Sequence, residues 1–158
     1  MTNRRLLIAM STMVALLMVA GAISFVKYAR SHAPDPNLVA VAPFDIYVPG
    51  LESWRVRLAV GVTAAIQTPL AAVSQDVVRE RWQAQERPEI SALDLARRTS
   101  ASRGVYGRVD PIAGTRDSVR VKMIVIDAGT GRVQLMFDDA WPVADLQSLS
   151  RALAERVR

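Results

Sequence analysis

The first 30 residues carry one long, uncharged, apolar segment. Residues 6–26 contain no Asp, Glu, Lys or Arg, and as a helix they would span roughly 31 Å at about 1.5 Å per residue. The hydrocarbon core of a bilayer is about 30 Å thick, so this segment has the length of a transmembrane helix. Its predicted flanks are the basic residues Arg4, Arg5, Lys27 and Arg30.

A cleaved signal peptide is the alternative for this segment. Ala20-Gly21-Ala22 resembles a cleavage site, but the apolar run continues to Val26, beyond the roughly 7–15 residues of a signal core. The flanking charges are balanced, and the short N-terminal tail favours a cytoplasmic N-terminus. We therefore predict a tail and anchor over residues 1–30, in the inner membrane, with the C-terminal domain extracytoplasmic (periplasmic).

The apolar positions that follow predict an α/β domain. Residues 31–37 form a linker with two prolines, which favour extended backbone. Residues 38–44 are apolar and rich in β-branched side chains, as is typical of a buried strand. Apolar residues then recur every three or four positions over residues 51–66, which predicts a helix with one apolar stripe. The soluble domain is predicted to cover residues 38–158.

The middle of the domain is expected to hold one short strand and two helices. Residues 70–73 are the strand candidate, and Ser74 is placed to cap the helix that follows. Residues 83–89 are polar and predict a loop. Ser91 and Asp94 have the spacing of a capping box, so the second helix is expected to begin there and to end near residue 99.

In the last third of the chain, apolar residues recur at every second position. Residues 103–109, 118–127 and 132–137 alternate between apolar and polar positions, which predicts three strands. The connections between them are short and contain glycine, which indicates an antiparallel meander. Residues 146–157 then predict an amphipathic helix at the C-terminus.

The predicted element order is β-α-β-α-α-β-β-β-α. Helical crossovers allow parallel pairing and hairpins give antiparallel pairing, so one mixed sheet in an α/β domain of two or three layers is expected behind the transmembrane helix. In the last strand, simple alternation places Val133, Leu135 and Phe137 on one face.

Charge distribution argues against a nucleic-acid partner. The chain has 20 Lys+Arg and 15 Asp+Glu, a formal net charge of +5. The four flanks of the apolar segment account for four of these charges, because residues 1–30 contain no acidic residue. The soluble domain is therefore nearly neutral, and its partners are expected to be membrane lipid, through residues 6–26, and protein.

Composition also limits the chemistry. The chain has no Cys and a single His, His32 in the linker, which excludes thiolate metal sites, Cys nucleophiles and a Ser-His triad in the domain. Gly129-Thr130-Gly131 lies between two predicted strands and is interpreted as a hairpin turn rather than a phosphate loop. We predict no enzyme, no catalytic, cofactor-binding or metal-binding residues, and no cofactor.

Two other functions stay open. Asp110, Asp127 and Asp138 could serve a small envelope hydrolase if the fold brought carboxylates together. An arginine cluster could instead let a cytoplasm-facing anchor bind nucleic acid. The arginines of this cluster are Arg97, Arg98, Arg103 and Arg108.

Two aromatic residues are candidate partner contacts. Trp141 follows two aspartates and precedes Pro142, a setting that favours partial exposure, and Tyr106 lies among the clustered arginines. A free sheet edge would offer a further contact, because an exposed strand can pair with a strand of a partner.

Four sequence stretches together resemble the TolB amino-terminal-like (FlgO/CsgG-like) α/β domains. The LVAVAPF strand followed by Pro49-Gly50-Leu51 resembles the opening of that family. Its later motifs are similar to two further stretches. The first is residues 92–96 ahead of the strand 105–109, and the second is residues 117–131 (DSVRV to IDAGTG). The resemblance covers about residues 38–158. Departures are Ala42, where the family usually has Leu, and Thr99-Ser100-Ala101, where a helix-ending glycine is common.

The resemblance implies a location and a role. Such domains often lie just outside a single membrane helix, in bacterial eukaryotic-like Ser/Thr kinases and in tetratricopeptide proteins, and their role is generally taken as non-catalytic. It implies a membrane-anchored domain for protein interaction, sensing or envelope assembly, with an envelope protein as partner. This chain contains neither a kinase nor a repeat domain.

Overall fold

The computed structural model describes Met18 and residues 33–157. The predicted anchor over residues 6–26 lies outside the described residues except for Met18, and its flanks Arg4, Arg5, Lys27 and Arg30 lie outside them as well. Within the described part of the chain, no helix is long and apolar enough to cross a membrane. The chain divides after Ala33, and the elements below belong to the unit Pro34–Arg158.

The described residues form six strands and four α-helices. The strands are β1 (Asp35–Val41), β2 (Asp45–Ile46), β3 (Ala71–Ala72), β4 (Ala101–Pro111), β5 (Ser118–Asp127) and β6 (Val133–Pro142). The helices are α1 (Trp54–Ala65), α2 (Gln75–Arg81), α3 (Pro88–Arg98) and α4 (Leu146–Val157), and a 3-10 turn (Val143–Asp145) precedes α4. The predicted α/β class is confirmed, and the two-residue strand β2 is the one addition to the predicted order.

The strands form a single mixed sheet in the order β3-β1-β4-β5-β6, with β2 also pairing with β4. β1 pairs in parallel with β3 and β4, because helices carry the chain back between these strands. β4, β5 and β6 pair antiparallel through short connections, so the predicted meander is confirmed.

Helices cover both faces of the sheet, and the domain has three layers. Val39 and Val41 of β1 lie in one apolar core with residues of α1 and α4. Ala40 and Ala42 lie in a second core with residues of α2 and α3. We call these sides the α1/α4 face and the α2/α3 face. Strand alternation supplies apolar side chains to both, as expected for the buried part of an α/β sheet.

β4 is the strand around which both cores pack. A Cβ atom on Gly107 would collide with the ring of Phe44, which is fully buried in the α1/α4 core. On the opposite face, a Cβ atom on Gly104 would lie 2.5 Å from the carbonyl oxygen of Ala92 in α3. Glycine at these two positions therefore allows an aromatic ring and a helix backbone to approach the same strand from its two sides.

The start of α3 differs from the prediction. The capping box at Ser91 is wrong, because the helix begins one turn earlier, with Pro88 in its first turn. Proline is favoured there because its fixed φ suits a helix and its missing N–H would have no intrahelical partner. Ser91 is instead buried inside the helix, where its Oγ accepts a hydrogen bond from the Gln85 N–H at 2.8 Å.

β6 is longer than predicted. The alternation of residues 132–137 predicts a strand that ends at residue 137. In the structure it continues to Pro142, with Asp138 opposite Lys122 and Asp139 opposite Val121. Main-chain pairing with β5 extends the strand through Asp138 and Asp139, whose charged side chains do not contribute to a core, to Trp141, which packs partly on the α1/α4 core.

Candidate interaction surface

β6 is the free edge of the sheet. It pairs with β5 on one side, and within the described residues no strand pairs with its other side. The opposite edge is β3, which is only two residues long, whereas β6 has ten. An edge strand presents unpaired N–H and C=O groups that can bind another strand. The long edge at β6 is therefore the main site where the sheet can be extended.

The first half of β6 exposes apolar side chains. Val133 is 50% exposed and Leu135 is 58% exposed. They lie opposite Ile126 and Ile124, two residues of β5 that belong to or pack on the α2/α3 core. α3 does not extend far enough over the sheet to bury them, so an apolar strip borders the free edge.

A β-bulge places this strip on the opposite face of the sheet from Phe137. The register shifts between Met123 and Ile124, so that Phe137 lies opposite Met123 while Leu135 lies opposite Ile124. Met136 and Phe137 both pack on the α1/α4 core. The prediction that Val133, Leu135 and Phe137 share a face is therefore wrong, because an extra residue in one strand reverses the alternation beyond it.

The second half of β6 carries Asp138, whose charge is paired within the sheet. Asp138 accepts a hydrogen bond from Arg120 Nε at 2.7 Å and lies 3.7 Å from Lys122 Nζ. The hydrogen bond from Arg120 is the main reason that the pKa of Asp138 lies below its usual range. On β4, Asp110 pairs with Arg108 at 2.7 Å. These exposed pairs add little stability, but they neutralise two of the candidate carboxylates.

Trp141 lies where the edge strand meets α4. Its Nε1–H donates to the backbone oxygen of Asp145 at 2.9 Å, and its ring meets Phe137 edge-on with 6.2 Å between centroids. The ring packs partly on the α1/α4 core and is otherwise accessible. A fixed, half-buried aromatic ring beside a free edge is a suitable anchor for a partner, so Trp141 stays a predicted contact.

Tyr106 is a core residue. Only 7% of it is exposed, and its hydroxyl donates to Asp45 Oδ2 at 2.8 Å, while Asp45 Oδ1 lies 3.1 Å from Arg55. The pKa of Tyr106 is raised mainly by burial of the hydroxyl, and the neighbouring Asp45 raises it further. The residue joins β4 to the segment before α1, and a partner cannot reach its ring in this fold.

The clustered arginines do not form one basic face. Arg97 donates to the Ala128 backbone oxygen at 3.0 Å, and Arg98 pairs with Asp94 at 2.8 Å, both from α3. Arg103 donates to the backbone oxygen of Val157 in α4 at 3.2 Å, on the opposite side of the sheet. Each arginine is held by a local partner, so the cluster in the sequence is dispersed in space.

Asp127 lies apart from the other two candidate carboxylates. Asp127 accepts hydrogen bonds from the N–H and the hydroxyl of Thr130 at 2.7 and 2.8 Å in the β5–β6 turn. The Thr130 N–H is the main cause that lowers the pKa of Asp127. Asp110 and Asp138 lie toward the other end of the meander on either side of Arg120, where Asp110 pairs with Arg108 and Asp138 pairs with Arg120. In the part of the chain that the structure describes, no group of three acidic or His residues could hold a metal ion.

An open groove lies at the hairpin end of β6. It has a volume of about 820 Å³ and runs between the C-terminal end of α4 and strands β5 and β6. Met136 and Val157 supply apolar lining, and Arg103, Asp127 and Arg132 supply charged lining. The groove widens the accessible surface at the free edge, and nothing in its lining resembles a catalytic arrangement.

No family model matches the chain, and no curated protein sequence matches it. Its fold is similar to that of lipoprotein GNA1162 from Neisseria meningitidis, with a TM-score of 0.51, 17% identity and coverage of 77% of this chain and 96% of that one. It is also similar to a PelC dodecamer from Paraburkholderia phytofirmans, with a TM-score of 0.50, 14% identity and coverage of 80% and 88%. At these identities the likeness establishes the α/β fold that the chain shares with bacterial proteins.

Replacing Tyr106 with Phe should change how stability depends on pH. Its raised pKa means that, above about pH 10, the unfolded chain releases the phenolic proton more readily than the folded chain. The free energy of unfolding should therefore fall as pH rises through this range, and Tyr106→Phe should reduce that slope. At neutral pH the variant should lose about 1 kcal/mol with the hydrogen bond.

Urea unfolding followed by tryptophan fluorescence at several pH values measures both effects. Tyr47→Phe, at an exposed tyrosine, is the matched control and should leave the slope in place. Equal slopes in the parent chain and in Tyr106→Phe would contradict the assignment of Tyr106 as a buried, hydrogen-bonded phenol.

Proposed function

We propose that this chain is a non-catalytic protein-interaction domain that works beside a membrane and binds its partner through β6. The main observation in support is that β6 is a free edge strand in which Val133 and Leu135 are exposed. A partner strand added to β6 would gain main-chain hydrogen bonds and would cover both apolar side chains. Trp141 would extend the contact toward the end of the strand.

The contacts of the three candidate carboxylates support a non-catalytic role. A hydrolase that uses two carboxylates needs them on either side of one bond, about 5–10 Å apart. Asp110 and Asp138 are instead held by arginines, and Asp127 closes a turn. An interaction or sensing role needs no such convergence, and the accessible features are an edge, an aromatic ring and a groove.

A membrane location is proposed from residues 6–26. In this account the apolar segment anchors the chain in the inner membrane, and the domain is extracytoplasmic, as in the TolB amino-terminal-like modules that the sequence resembles. The likeness to a lipoprotein supports a membrane setting for this fold. The likeness to a dodecamer supports self-association as one use of its surfaces.

A fusion reporter tests the membrane placement. Alkaline phosphatase joined to the end of the chain should be active, because it folds only outside the cytoplasm, and a green fluorescent protein at the same position should be dark. Deleting residues 6–26 should reverse both signals. A fluorescent fusion with inactive phosphatase would place the domain in the cytoplasm and would favour the nucleic-acid alternative.

A photo-crosslinking amino acid at position 135 tests the contact surface in the native host. We expect covalent protein adducts from Leu135 and none from Arg116, an exposed position in the β4–β5 loop. Adducts should weaken when Val133 is replaced by Asp, because a charge on the apolar strip opposes its burial. Equal labelling at positions 135 and 116, or none at either, would contradict binding through β6.

A further inference from the structure

The chain enters the sheet at the same end as the β5–β6 hairpin. Ser102 of β4 contacts both places. Its Oγ donates to the backbone oxygen of Pro36 at 2.9 Å, close to the start of the unit Pro34–Arg158. Its backbone oxygen accepts from the N–H of Ala128, the first residue of the hairpin turn, at 2.8 Å. Residues around the hairpin therefore lie beside the point where the chain enters the domain.

Four arginines are grouped at this end of the sheet. Arg97 Nε donates to the backbone oxygen of Ala128 at 3.0 Å. Arg103 lies opposite Asp127, on the other face of the sheet, and donates to the backbone oxygen of Val157 at 3.2 Å. The other two follow directly, because the Asp127 N–H donates to the backbone oxygen of Arg132 and Arg156 precedes Val157. We call this group the entry-end surface: Arg97, Arg103, Arg132 and Arg156.

The charges of the entry-end surface are not balanced by ion pairs. Among the described residues no carboxylate forms a salt bridge with any of its four arginines, whereas Arg98, Arg108 and Arg120 each pair with an aspartate. The backbone oxygens that hold Arg97 and Arg103 fix the two side chains in place. They carry no net charge, so the guanidinium groups stay available for an anion.

Three acidic residues share this end, and two of them are already engaged. Asp35 accepts from the Asn37 N–H at 2.9 Å, and Asp127 accepts from the Thr130 N–H at 2.7 Å. The third is Glu155, which is exposed on α4. Residues 27–33, which precede the domain, add Lys27 and Arg30 and no acidic residue. The entry end is therefore net positive, although the domain as a whole is nearly neutral.

The groove beside the hairpin gives this charge a concave site. Arg103 and Arg132 both line it, with Val157 as apolar lining. A guanidinium has five N–H donors in a planar fork that matches the oxygens of a phosphate. The donors of Arg103 that do not bind Val157, and those of Arg132, can therefore hold one phosphate between them.

Chain length keeps this end close to the bilayer in the proposed placement. Residues 27–33 separate the apolar segment from Pro34, and seven residues extend to about 25 Å at most. A bilayer with anionic lipids attracts nearby Lys and Arg side chains, and the attraction falls off within a Debye length, about 8 Å at physiological ionic strength. The position and the charge of the entry-end surface both suit contact with such a bilayer.

We propose that the entry-end surface binds the phosphate headgroups of anionic phospholipids. One phosphate lies in the groove between Arg103 and Arg132, and Arg97 and Arg156 contact neighbouring headgroups. This inference rests on the membrane placement under the proposed function, to which it adds a lipid class and an orientation. The strands then stand away from the bilayer, so the edge of β6 stays open to a partner from the side.

The absence of native cysteine allows one fluorophore to report this contact. Full-length chains with Gln134→Cys or Ala140→Cys are labelled and reconstituted in phosphatidylcholine bilayers that contain a headgroup-nitroxide lipid, with and without phosphatidylglycerol. Both positions are exposed on β6, but Gln134 lines the groove and Ala140 lies toward the other end. We expect phosphatidylglycerol to increase quenching at position 134 only. Salt at about 1 M should remove the increase, because it shortens the Debye length to about 3 Å.

Removal of single charges identifies the residues that bind the lipid. Arg132→Gln and Arg156→Gln should each lower the ratio of docked to undocked domain about fivefold, as expected for one basic residue near an anionic surface. Arg132→Lys should keep most of the response, because it keeps the charge. Arg116→Gln is the matched control, since it removes an exposed arginine in the β4–β5 loop, and it should keep the full response.

The remaining outcomes separate this proposal from the membrane placement. Equal quenching at position 134 in the two bilayers, or equal effects of Arg132→Gln and Arg116→Gln, would overturn the lipid site and leave the placement intact. A saturable response of position 134 to inorganic phosphate in phosphatidylcholine bilayers would indicate a soluble anion as the ligand and would also overturn it. Release of the chain from host membranes by alkaline carbonate would contradict the placement itself, and the lipid site with it.

Discussion

The structure depends on the close packing of both helix layers against β4. This strand pairs with β1, β2 and β5 and is buried on both faces along most of its length. Gly104 and Gly107 leave room for the α3 backbone on one side and for the Phe44 ring on the other. In interiors packed this densely, an added methyl group displaces its neighbours and destabilises the fold. The two glycines therefore determine how closely each helix layer approaches β4.

The exposed surfaces are a consequence of this packing. Because α3 lies over β4 and reaches only part of β5, no helix of the described residues lies above Val133 and Leu135 on the α2/α3 face. On the other face α4 does reach β6, and it covers Phe137 and part of Trp141. The bulge at the centre of β6 divides the strand between these two environments.

Much of the fold was predictable because the spacing of apolar residues along the chain follows the buried side of each helix and strand. The strict alternation of β5 gave its bounds, Ser118–Asp127, correctly, and the 3.6-residue spacing located α4 over Leu146–Val157. The sequence did not reveal the bulge in β6, because an extra residue in a strand leaves no mark on composition. The capping pattern at Ser91 also predicted the wrong start for α3, because the helix begins one turn earlier, with Pro88 in its first turn.

The candidate site was harder to predict, because exposure depends on what the helices leave uncovered. Tyr106 is polar at its tip, yet its hydroxyl is satisfied by Asp45, 61 positions away in the chain, and its ring is buried. The charged positions around Arg103 and Arg108 look clustered in sequence, but strand alternation sends neighbours to opposite faces. The exposed valines of α1 could have been noticed in the sequence, because a surface helix without charges on its outer side is unusual.

Partner binding through the free edge of β6 is the central claim. Hydrogen–deuterium exchange of the full chain, measured in membranes of the native host and in membranes without host proteins, tests it most directly. We expect amides of residues 133–137 to gain protection in the host membranes, while those of α2 and the β4–β5 loop do not change. Equal protection of residues 133–137 in the two preparations would contradict it.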